Sequence, residues 1–356
     1  MLRIKRGSPR NPRHDERIVT GADGFIGRAV CCLLAEGGHH VVAGTRSGSK
    51  IKGAHENRRL GDLAHPEGMD RWVLNIDTIV HLAARVHITT EISSDPLAEF
   101  RRINVEGTRS LAEAAEREGV QRLAFLSTAK VNGEATTGRP FSKADRPSPE
   151  DSYGKSEWEA EQLLNEIGSR GRLETVVLRV PLTYGPGVKA NFLSLLKLCD
   201  THLPLPLGAI ADNSRSLIYV GNLAAAIAEV LQHPNATGKT FLVSDGAPVL
   251  TADLVRTMRA ALERPARLLS IPPGLLRLAL SLVGKAAVAD RLTGSLEIDN
   301  GAIVKALDWH ATWTMQAGIA RQLPGIAAQK ILDRAVRGMC ASPDRYGMVR
   351  ELGSNA

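Results

Sequence analysis

The clearest indication of a fold class comes from RIVTGADGFIGRAVCCLLAEGG, residues 17–38. A short apolar run at 17–20 leads into a turn in which Gly21, Gly24 and Gly27 recur at every third position. The residues after this turn read as a helix that stops at the two glycines of 37–38. A strand, a glycine-rich turn and a helix in this order predict the first β-α unit of a parallel sheet.

The same alternation continues through the first half of the chain. Apolar runs at 40–45, 77–84, 122–128 and 175–180 alternate with helix-like segments at 97–119 and 153–168. The apolar residues of a run such as DTIVHLAA are continuous rather than alternating, which is typical of parallel strands buried on both faces. With right-handed crossovers, this predicts an α/β fold built on a Rossmann-like, doubly wound parallel sheet.

The chain divides into four predicted segments. Residues 1–16 are expected to form a basic, disordered arm, and residues 17–180 the Rossmann domain. Proline- and glycine-rich turns then separate short helices, which predicts a smaller, loop- and helix-rich C-terminal substrate lobe over residues 181–322. Part of this lobe is expected to return to the Rossmann domain. The sequence assigns no structure to the tail, residues 323–356.

The first strand carries one irregularity. Glu16 and Arg17 occupy positions where buried apolar residues are expected. Charged side chains are seldom buried without a partner. The sequence therefore predicts a first strand that is short or frayed at its edge.

Composition excludes several classes of function. Of the formal net charge of +7, residues 1–17 contribute +4 and residues 321–356 contribute +3. The neutral middle argues against a nucleic-acid binder, which usually carries basic surface on its folded domain. The four cysteines form no CxxC pair, and no apolar stretch is long enough for membrane insertion. We therefore expect a cytoplasmic protein without a metal site and without nucleic-acid or membrane partners.

The glycine turn has the spacing of a dinucleotide-binding site. Gly21 would allow a tight turn, Gly24 a close approach of the backbone to a pyrophosphate, and Gly27 close packing of helix on strand. The helix that begins near Phe25 and Ile26 would offer its N–H groups to phosphate oxygens.

The residue after the second strand bears on which dinucleotide binds. NAD sites usually carry an acidic residue there, which holds the ribose 2′-hydroxyl. This chain has Arg46 and no carboxylate in AGTRSGSK. The sequence therefore favours NADP over NAD, although Arg46 would also suit a solvated side chain that stacks on the adenine.

Six motifs occur together in one order. They are TGADGFIG (20–27), GDL (61–63), HLAA (81–84), NVEGT (104–108), FLSTAKVNGE (125–134) and YGKSE (153–157). Over roughly residues 17–320 the chain resembles the extended short-chain dehydrogenase/reductases, also described as the NAD-dependent epimerase/dehydratase family. The later motifs RVPLTYGPGVKANF (179–192), NSRSLIYVGNL (213–223) and FLVSDG (241–246) are similar to bacterial UDP-4-keto-6-deoxy-N-acetylhexosamine 4-reductases of O-antigen and capsule synthesis.

The resemblance implies roles for individual residues. Thr128 would bond the C4 oxygen of the substrate, and Tyr153 would be the general acid/base. Beside the glycine turn and Arg46, the implied cofactor contacts are Asp62, Leu63, Leu82, Ala83, Ala84, Asn104 and Pro181. The implied substrate contacts are Lys130, Asn191 and Arg215.

The chain departs from the family motif YxxxK at its last position. Glu157 stands where the family has the lysine that holds the nicotinamide ribose and lowers the pKa of the tyrosine. Lys155 is no substitute, because i+2 lies on the opposite face of a helix from i. We expect the Glu157 carboxylate to disfavour the ionised form of Tyr153.

Three functions follow from the resemblance. The first is reduction of a 4-keto-6-deoxy-hexosamine carried on a nucleotide diphosphate. The second is 4-epimerisation of such a sugar. The third is binding of NAD(P) or a nucleotide sugar by a catalytically impaired relative. Dehydration is disfavoured, because Ala129 and Lys130 stand where 4,6-dehydratases carry Asp-Glu. The sequence leaves homodimerisation open.

Overall fold

The fold centres on one parallel sheet. The computed structural model describes residues 15–65, 68–86, 95–210, 213–282, 284 and 292–322. The strands of the sheet are β1 Glu16–Thr20, β2 His40–Thr45, β3 Glu56–Arg59, β4 Thr78–His81, β5 Arg122–Thr128, β6 Glu174–Val180 and β10 Thr240–Leu242. Their order is β10-β6-β5-β4-β1-β2-β3, and every pairing is parallel. This confirms the predicted Rossmann-like sheet.

Helices cover both faces of this sheet. One face carries α1 Phe25–Glu36, α7 Val220–Gln232 and α10 Gly301–Leu307, and the other carries α2 Asp70–Val73, α4 Gly107–Glu118 and α5 Ser152–Ser169. Consecutive strand residues serve different cores: Ile18 packs with the second set of helices and Val19 with the first. The apolar runs are continuous for this reason. The short helix α3 Pro96–Phe100 continues through a π-helical turn, Arg101–Glu106, into α4.

The first strand differs from its prediction. Strand β1 begins at Glu16 and lies in the middle of the sheet, between β2 and β4. Arg17 is buried, and its guanidinium pairs with Asp15 at 2.5 Å, while the backbone N–H of Glu16 donates to Asp77 at 2.9 Å. The expectation of a frayed strand was wrong, because Asp15 binds Nε and Nη2 of Arg17 and Asp77 binds the first backbone N–H of the strand. Nη1 of Arg17 is buried without a hydrogen-bond partner among the described residues.

Residues beyond 180 form the lobe and also extend the sheet. Strand β7 Leu182–Tyr184 pairs with β9 Leu217–Tyr219, and β8 Ser214–Arg215 with β11 Val249–Leu250. The remaining helices are α6 Ala190–Cys199, α8 Thr251–Ala261, α9 Pro273–Leu282 and α11 Met315–Gln322, with 3₁₀ turns at Ala129–Val131 and Pro234–Ala236. Strand β10 pairs with β6, so this part of the chain completes the main sheet.

One carboxylate fastens the lobe to the sheet. Asp245 follows β10 and accepts hydrogen bonds from the Tyr184 hydroxyl at 2.8 Å and the Asn222 amide at 2.7 Å. Asn222 in turn donates to the backbone oxygen of Trp313 at 2.9 Å. In the described part of the chain, no helix has the length and hydropathy that crossing a membrane requires.

Candidate dinucleotide and catalytic site

The site lies where the strand order reverses. The chain builds outward from β1 to β3 and then crosses to β4 on the other side of β1. In open α/β sheets, such a switch point leaves a crevice at the carboxyl ends of the two strands. The glycine turn follows β1, and Leu82, Ala83 and Ala84 follow β4, so both predicted cofactor segments border this crevice.

The geometry of the turn fits a dinucleotide phosphate. Gly21 has a φ of +66°, and a Cβ there would lie 3.0 Å from the backbone N of Ala83. A Cβ on Gly27 would collide with the backbone oxygen of Gly21. Gly24 is the exposed N-cap of α1, whose first turn contains no acidic residue. Phe25 and Ile26 open this helix, so its free N–H groups suit an anion.

A buried chain of hydrogen bonds holds the two crevice segments together. The hydroxyl of Thr20 accepts from the backbone N–H groups of Leu82 and Ala83, each at 3.2 Å. Its proton is therefore directed to Nδ1 of His81 at 2.8 Å, and Nε2–H of His81 donates to the Thr108 hydroxyl at 3.0 Å. Burial lowers the pKa of His81 to about 4, which keeps the ring neutral. The sequence analysis gave none of these three side chains a role in the site, although all of them stand in the recognised motifs.

Asn104 joins the loop after β4 to helix α5. The π-helical turn presents its amide, whose oxygen accepts from the backbone N of Arg85 at 2.7 Å and whose nitrogen donates to the Arg85 oxygen at 3.0 Å. The amide nitrogen also lies 3.0 Å from the Ser156 hydroxyl and 3.2 Å from Oε1 of Glu157. Asn104 thus braces the crevice wall from a turn whose π-helical form is often found at functional sites.

The end of β5 and the start of α5 are tied together by Asp151. Its Oδ1 caps α5 by accepting from the Gly154 backbone N–H at 2.6 Å, and its Oδ2 pairs with Nζ of Lys130 at 2.6 Å. Lys130 follows Thr128 by two residues, so this ion pair brings Thr128 and Tyr153 to the same edge of the sheet. Lys130 also pairs with Glu134 at 2.7 Å.

The environment of Tyr153 keeps its hydroxyl protonated. Tyr153 is half-buried, with its ring 6.1 Å from the ring of Phe100. Burial raises the pKa of Tyr153 well above its ordinary value of 10.0, and the carboxyl groups of Glu157 and Asp151 act in the same direction. At neutral pH the side chain is therefore an acid rather than a base.

Glu157 is buried in surroundings that disfavour its charged form. Its side chain is fully buried one helical turn after Tyr153, and burial together with the nearby Glu161 raises its pKa well above the ordinary 4.5. These surroundings oppose the negative charge that the sequence suggested at this position. Lys155 is exposed, on the side of α5 that faces away from the sheet.

A buried ion pair supports this end of α5. Glu161 accepts from the guanidinium of Arg179 on β6 at distances down to 2.6 Å, and from the hydroxyl of Ser127 on β5 at 2.5 Å. Arg179 also donates to Asn132 at 2.9 Å and lies over the ring of Trp158. None of these residues was singled out from the sequence. An arginine in an otherwise apolar strand was the available signal.

Three further residues that are predicted to contact the cofactor follow β2 and β3. Arg46 is exposed directly after β2, and Asp62 is exposed with its Oδ1 accepting from the Ala64 backbone at 3.0 Å. Leu63 packs against Gly107, and a Cβ added to Gly107 would lie 3.0 Å from the Cβ of Leu63.

Two predicted substrate residues, Asn191 and Arg215, and the predicted cofactor residue Pro181 lie on the lobe side, whereas the predicted substrate residue Lys130 follows β5 of the main sheet. Pro181 is buried directly after β6, and Arg215 is half-buried in β8. Asn191 belongs to the first turn of α6, but its side chain lies outside the described residues. Across the described residues, no group of three or more His, Cys, Asp or Glu side chains is arranged to hold a metal ion.

Replacing Glu157 with glutamine is expected to remove a pH-dependent loss of stability. A carboxyl group whose pKa is raised by folding stabilises the fold fully below its unfolded pKa, and this contribution is lost as pH rises towards the folded pKa. From the ordinary value of 4.5 upwards, the wild type should therefore lose stability relative to Glu157→Gln. Urea unfolding between about pH 4 and about pH 8 measures the difference in free energy. A difference that does not change with pH would contradict the expectation.

Comparison with known proteins points to one family of enzymes. The sequence profile of the NAD dependent epimerase/dehydratase family matches residues 17–244. A UDP-glucose 4-epimerase of Vibrio cholerae is 37% identical, over 85% of this chain and 92% of that protein. An N-acetyl-alpha-D-glucosaminyl-diphospho-ditrans,octacis-undecaprenol 4-epimerase of Escherichia coli O157:H7 is 28% identical, over 74% of this chain and 78% of that protein.

Solved structures share the fold. MoeE5 in complex with UDP-glucuronic acid and NAD superimposes with a TM-score of 0.70 at 25% identity, covering 89% of this chain and 99% of that one. UDP-glucose 4-epimerase of Thermotoga maritima superimposes with a TM-score of 0.69 at 19% identity, covering 90% of this chain and 99% of that one.

Proposed function

Because the chain belongs to the NAD dependent epimerase/dehydratase family, we propose that it reduces a 4-keto group on a nucleotide-diphosphate sugar with NAD(P)H. The family expected from the motifs is confirmed, while the narrower likeness to 4-reductases remains a prediction. The observation that carries the proposal is the position of Tyr153 at the start of α5, one helical turn before the buried Glu157, where burial raises the pKa of its hydroxyl. A tyrosine held protonated suits the delivery of a proton to a ketone oxygen.

The residues at the edge of the sheet that carries Thr128 and Tyr153 have separate roles in the proposed reaction. The Thr128 hydroxyl donates a hydrogen bond to the substrate's C4 oxygen, and Tyr153 transfers its hydroxyl proton to that oxygen. If a reduced nicotinamide is bound in the crevice, C4 would receive its hydride, and with the proton from Tyr153 the ketone would become a secondary alcohol. Asn104 and Asp151 hold α5 in register with the crevice, which keeps Tyr153 oriented.

The lobe supplies the contacts for the rest of the substrate. Arg215 stands two residues before β9, which pairs with β7 directly after Pro181. A guanidinium at this place suits a diphosphate, because it is a planar donor that binds two oxygens at once. The nucleotide sugar and NAD in the name of the solved MoeE5 complex support the same pairing of ligands.

A 4-epimerase is the second candidate. The 37% identity to a UDP-glucose 4-epimerase favours it. An epimerase first oxidises the sugar alcohol, and Tyr153 would then have to act as a base. The raised pKa of Tyr153 opposes that step. Loss of the motif lysine also keeps the third candidate open, a relative that binds the same ligands without turnover.

The test of the proposal is the fate of the reduced cofactor. With a UDP-4-keto-6-deoxy-N-acetylhexosamine as substrate, we expect one NAD(P)H to be consumed for each alcohol formed, measured by absorbance. Conversion of UDP-glucose to UDP-galactose without net consumption of cofactor would favour the epimerase. Binding of both ligands with neither reaction would favour the non-catalytic relative.

Glu157→Lys is expected to raise the reaction rate, and most strongly in the direction of alcohol oxidation. A free tyrosine is ionised in only about one molecule in 10³ at pH 7, so the oxidative direction depends most on a nearby cation. Both directions should be assayed in wild type and variant, with Lys155→Ala on the exposed face as the control. A fast wild type that the substitution leaves unchanged would show that another group does the work of the lysine.

Arg46 is expected to select NADPH over NADH. Its exposed guanidinium directly after β2 would pair with the 2′-phosphate, as arginine does in NADP sites. Arg46→Asp should therefore invert the ratio of the two dissociation constants, measured by cofactor fluorescence. Lys52→Asp is the control, because Lys52 is also exposed and the substitution changes the charge by the same amount at a site farther from the end of the strand. A wild type that prefers NADH would show the assignment to be wrong.

A further inference from the structure

Lys130 is bonded to the supports of both hydroxyl groups that the proposed reaction uses. It is the middle residue of the 3₁₀ turn Ala129–Val131, which follows Thr128 at the end of β5. Its backbone N–H donates to Oγ1 of Thr128 at 3.3 Å. This bond occupies one lone pair of the hydroxyl and leaves the hydroxyl proton for an acceptor outside the chain, such as the C4 oxygen of a substrate.

The side chain of Lys130 reaches the start of α5. Its ammonium group donates to Oδ2 of Asp151 at 2.6 Å, while Oδ1 of the same carboxylate accepts from the backbone N–H of Gly154 at 2.6 Å. The turn and the helix also pack closely here, because a Cβ added to Gly154 would lie 3.3 Å from the backbone oxygen of Lys130. Tyr153 lies between Asp151 and Gly154 in the chain, so its orientation depends on this contact.

A second carboxylate holds the ammonium group from its own turn. Glu134 accepts from Nζ of Lys130 at 2.7 Å, and 24% of the lysine side chain is exposed. Burial opposes the charged form, but the hydrogen bonds to Asp151 and Glu134 outweigh it and raise the pKa of Lys130. Two of the three ammonium protons are used in this way. Turning the group towards a substrate would stretch or break these charge-assisted bonds.

The ion pair also affects the charge near Tyr153. Burial raises the pKa of Tyr153, and the carboxyl groups of Glu157 and Asp151 act in the same direction. The Lys130 ammonium group offsets the charge of Asp151. Without it, this carboxylate would oppose more strongly the negative charge that develops on the tyrosine oxygen as its proton leaves.

We propose that Lys130 is a positioning residue that holds Thr128 and Tyr153 at the spacing which proton transfer to the C4 oxygen requires. The proposal rests on the proposed function for its reaction, and it gives Lys130 a different role from the substrate contact that the resemblance implies. One link is the backbone N–H that binds Thr128. The other is the ammonium group, which acts on Tyr153 through Asp151, whereas a substrate contact would use the ammonium group directly.

Lys130→Met tests the proposal, because methionine removes the ammonium group and keeps an unbranched side chain. We expect kcat to fall on the order of 10²-fold, the cost of displacing a catalytic group by about 1 Å. KM and the dissociation constants of the nucleotide sugar and of the dinucleotide should not change. Lys130→Arg can bridge the same carboxylates and should recover most of the rate. Loss of a substrate contact would instead raise KM and weaken binding of the nucleotide sugar.

A change in Asp151 separates the ion pair from the helix cap. Asparagine caps a helix about as well as aspartate, so Asp151→Asn keeps the cap and loses the ion pair. Because Lys130 acts through Asp151, the double variant Lys130→Met/Asp151→Asn should be about as slow as the slower single variant. Arg170→Met is the matched control, since Arg170 also pairs with two carboxylates, at the other end of α5, and it should keep the wild-type rate.

The rates are measured with a nucleotide-linked keto sugar and NAD(P)H, and separately with UDP-glucose, because both reactions move a proton at the C4 oxygen. Thermal unfolding shows whether each variant is folded, and Asp151→Asn gives the same test if Lys130→Met does not fold. A raised KM in Lys130→Met, or losses that multiply in the double variant, would overturn the proposal. Epimerisation with the expected pattern would support it and overturn the proposed function. Reduction of the keto sugar that Lys130→Met leaves unchanged would do the reverse, and a wild type with neither reaction would overturn both.

Discussion

Tyr153→Phe is expected to lower turnover by roughly 10²–10⁴-fold, the usual contribution of a general acid. In the proposed reaction the Tyr153 hydroxyl releases a proton to the ketone oxygen. Phenylalanine keeps the aromatic ring, whose centroid lies 6.1 Å from that of Phe100. Because the ring remains, dinucleotide affinity should not change. Single-turnover kinetics and cofactor fluorescence measure the two quantities separately.

The matched control removes a hydroxyl from another tyrosine. Tyr184 donates to Asp245 in the lobe at 2.8 Å, far from the glycine turn in the sequence. Tyr184→Phe should reduce stability, because it leaves Asp245 with one donor fewer, while the folded variant keeps its rate of proton transfer. Turnover that survives in Tyr153→Phe would remove Tyr153 from the mechanism.

Arg179→Met is expected to lower the free energy of unfolding by about 3–5 kcal/mol, the range for breaking a buried ion pair. Glu161 is completely buried, and three of the guanidinium contacts, at 2.6–3.1 Å, are with its two oxygens. Methionine fills the space but leaves the carboxylate without a counterion in an apolar setting. Denaturant unfolding of wild type and variant at neutral pH measures the loss.

The double variant Arg179→Met/Glu161→Leu distinguishes charge from packing. Removing both charges should recover much of the stability, because desolvation of an unpaired ion is the main penalty. A loss below about 1 kcal/mol in Arg179→Met, or a double variant less stable than the single one, would show that the pair does not support α5 in this way.

Several features followed from short stretches of sequence. The positive φ of Gly21 and the tight packing at Gly27 are local consequences of the turn after β1, and both bear out the roles expected of these glycines in shaping the turn. The continuous apolar runs predicted a sheet with two cores, since adjacent strand residues point to opposite faces. The exposed position of Lys155 followed from helix periodicity alone. In each case the deciding interactions lie within a few residues of one another.

Other features depended on residues that are distant in the chain. Arg17 looked unfit for a strand, but pairing with Val41 of β2 and Thr78 of β4 buries it, and the nearby Asp15 supplies its counterion. The carboxyl group of Glu157 looked like a charge beside Tyr153, whereas burial in the packing of α5 against Asn104 and the sheet raises its pKa well above the ordinary value. The type of a residue determines the protonation state of its side chain in water. The state inside the protein depends on desolvation and on partners 50 or more residues away, as for Asn104 and Glu157, and only the tertiary structure brings those together.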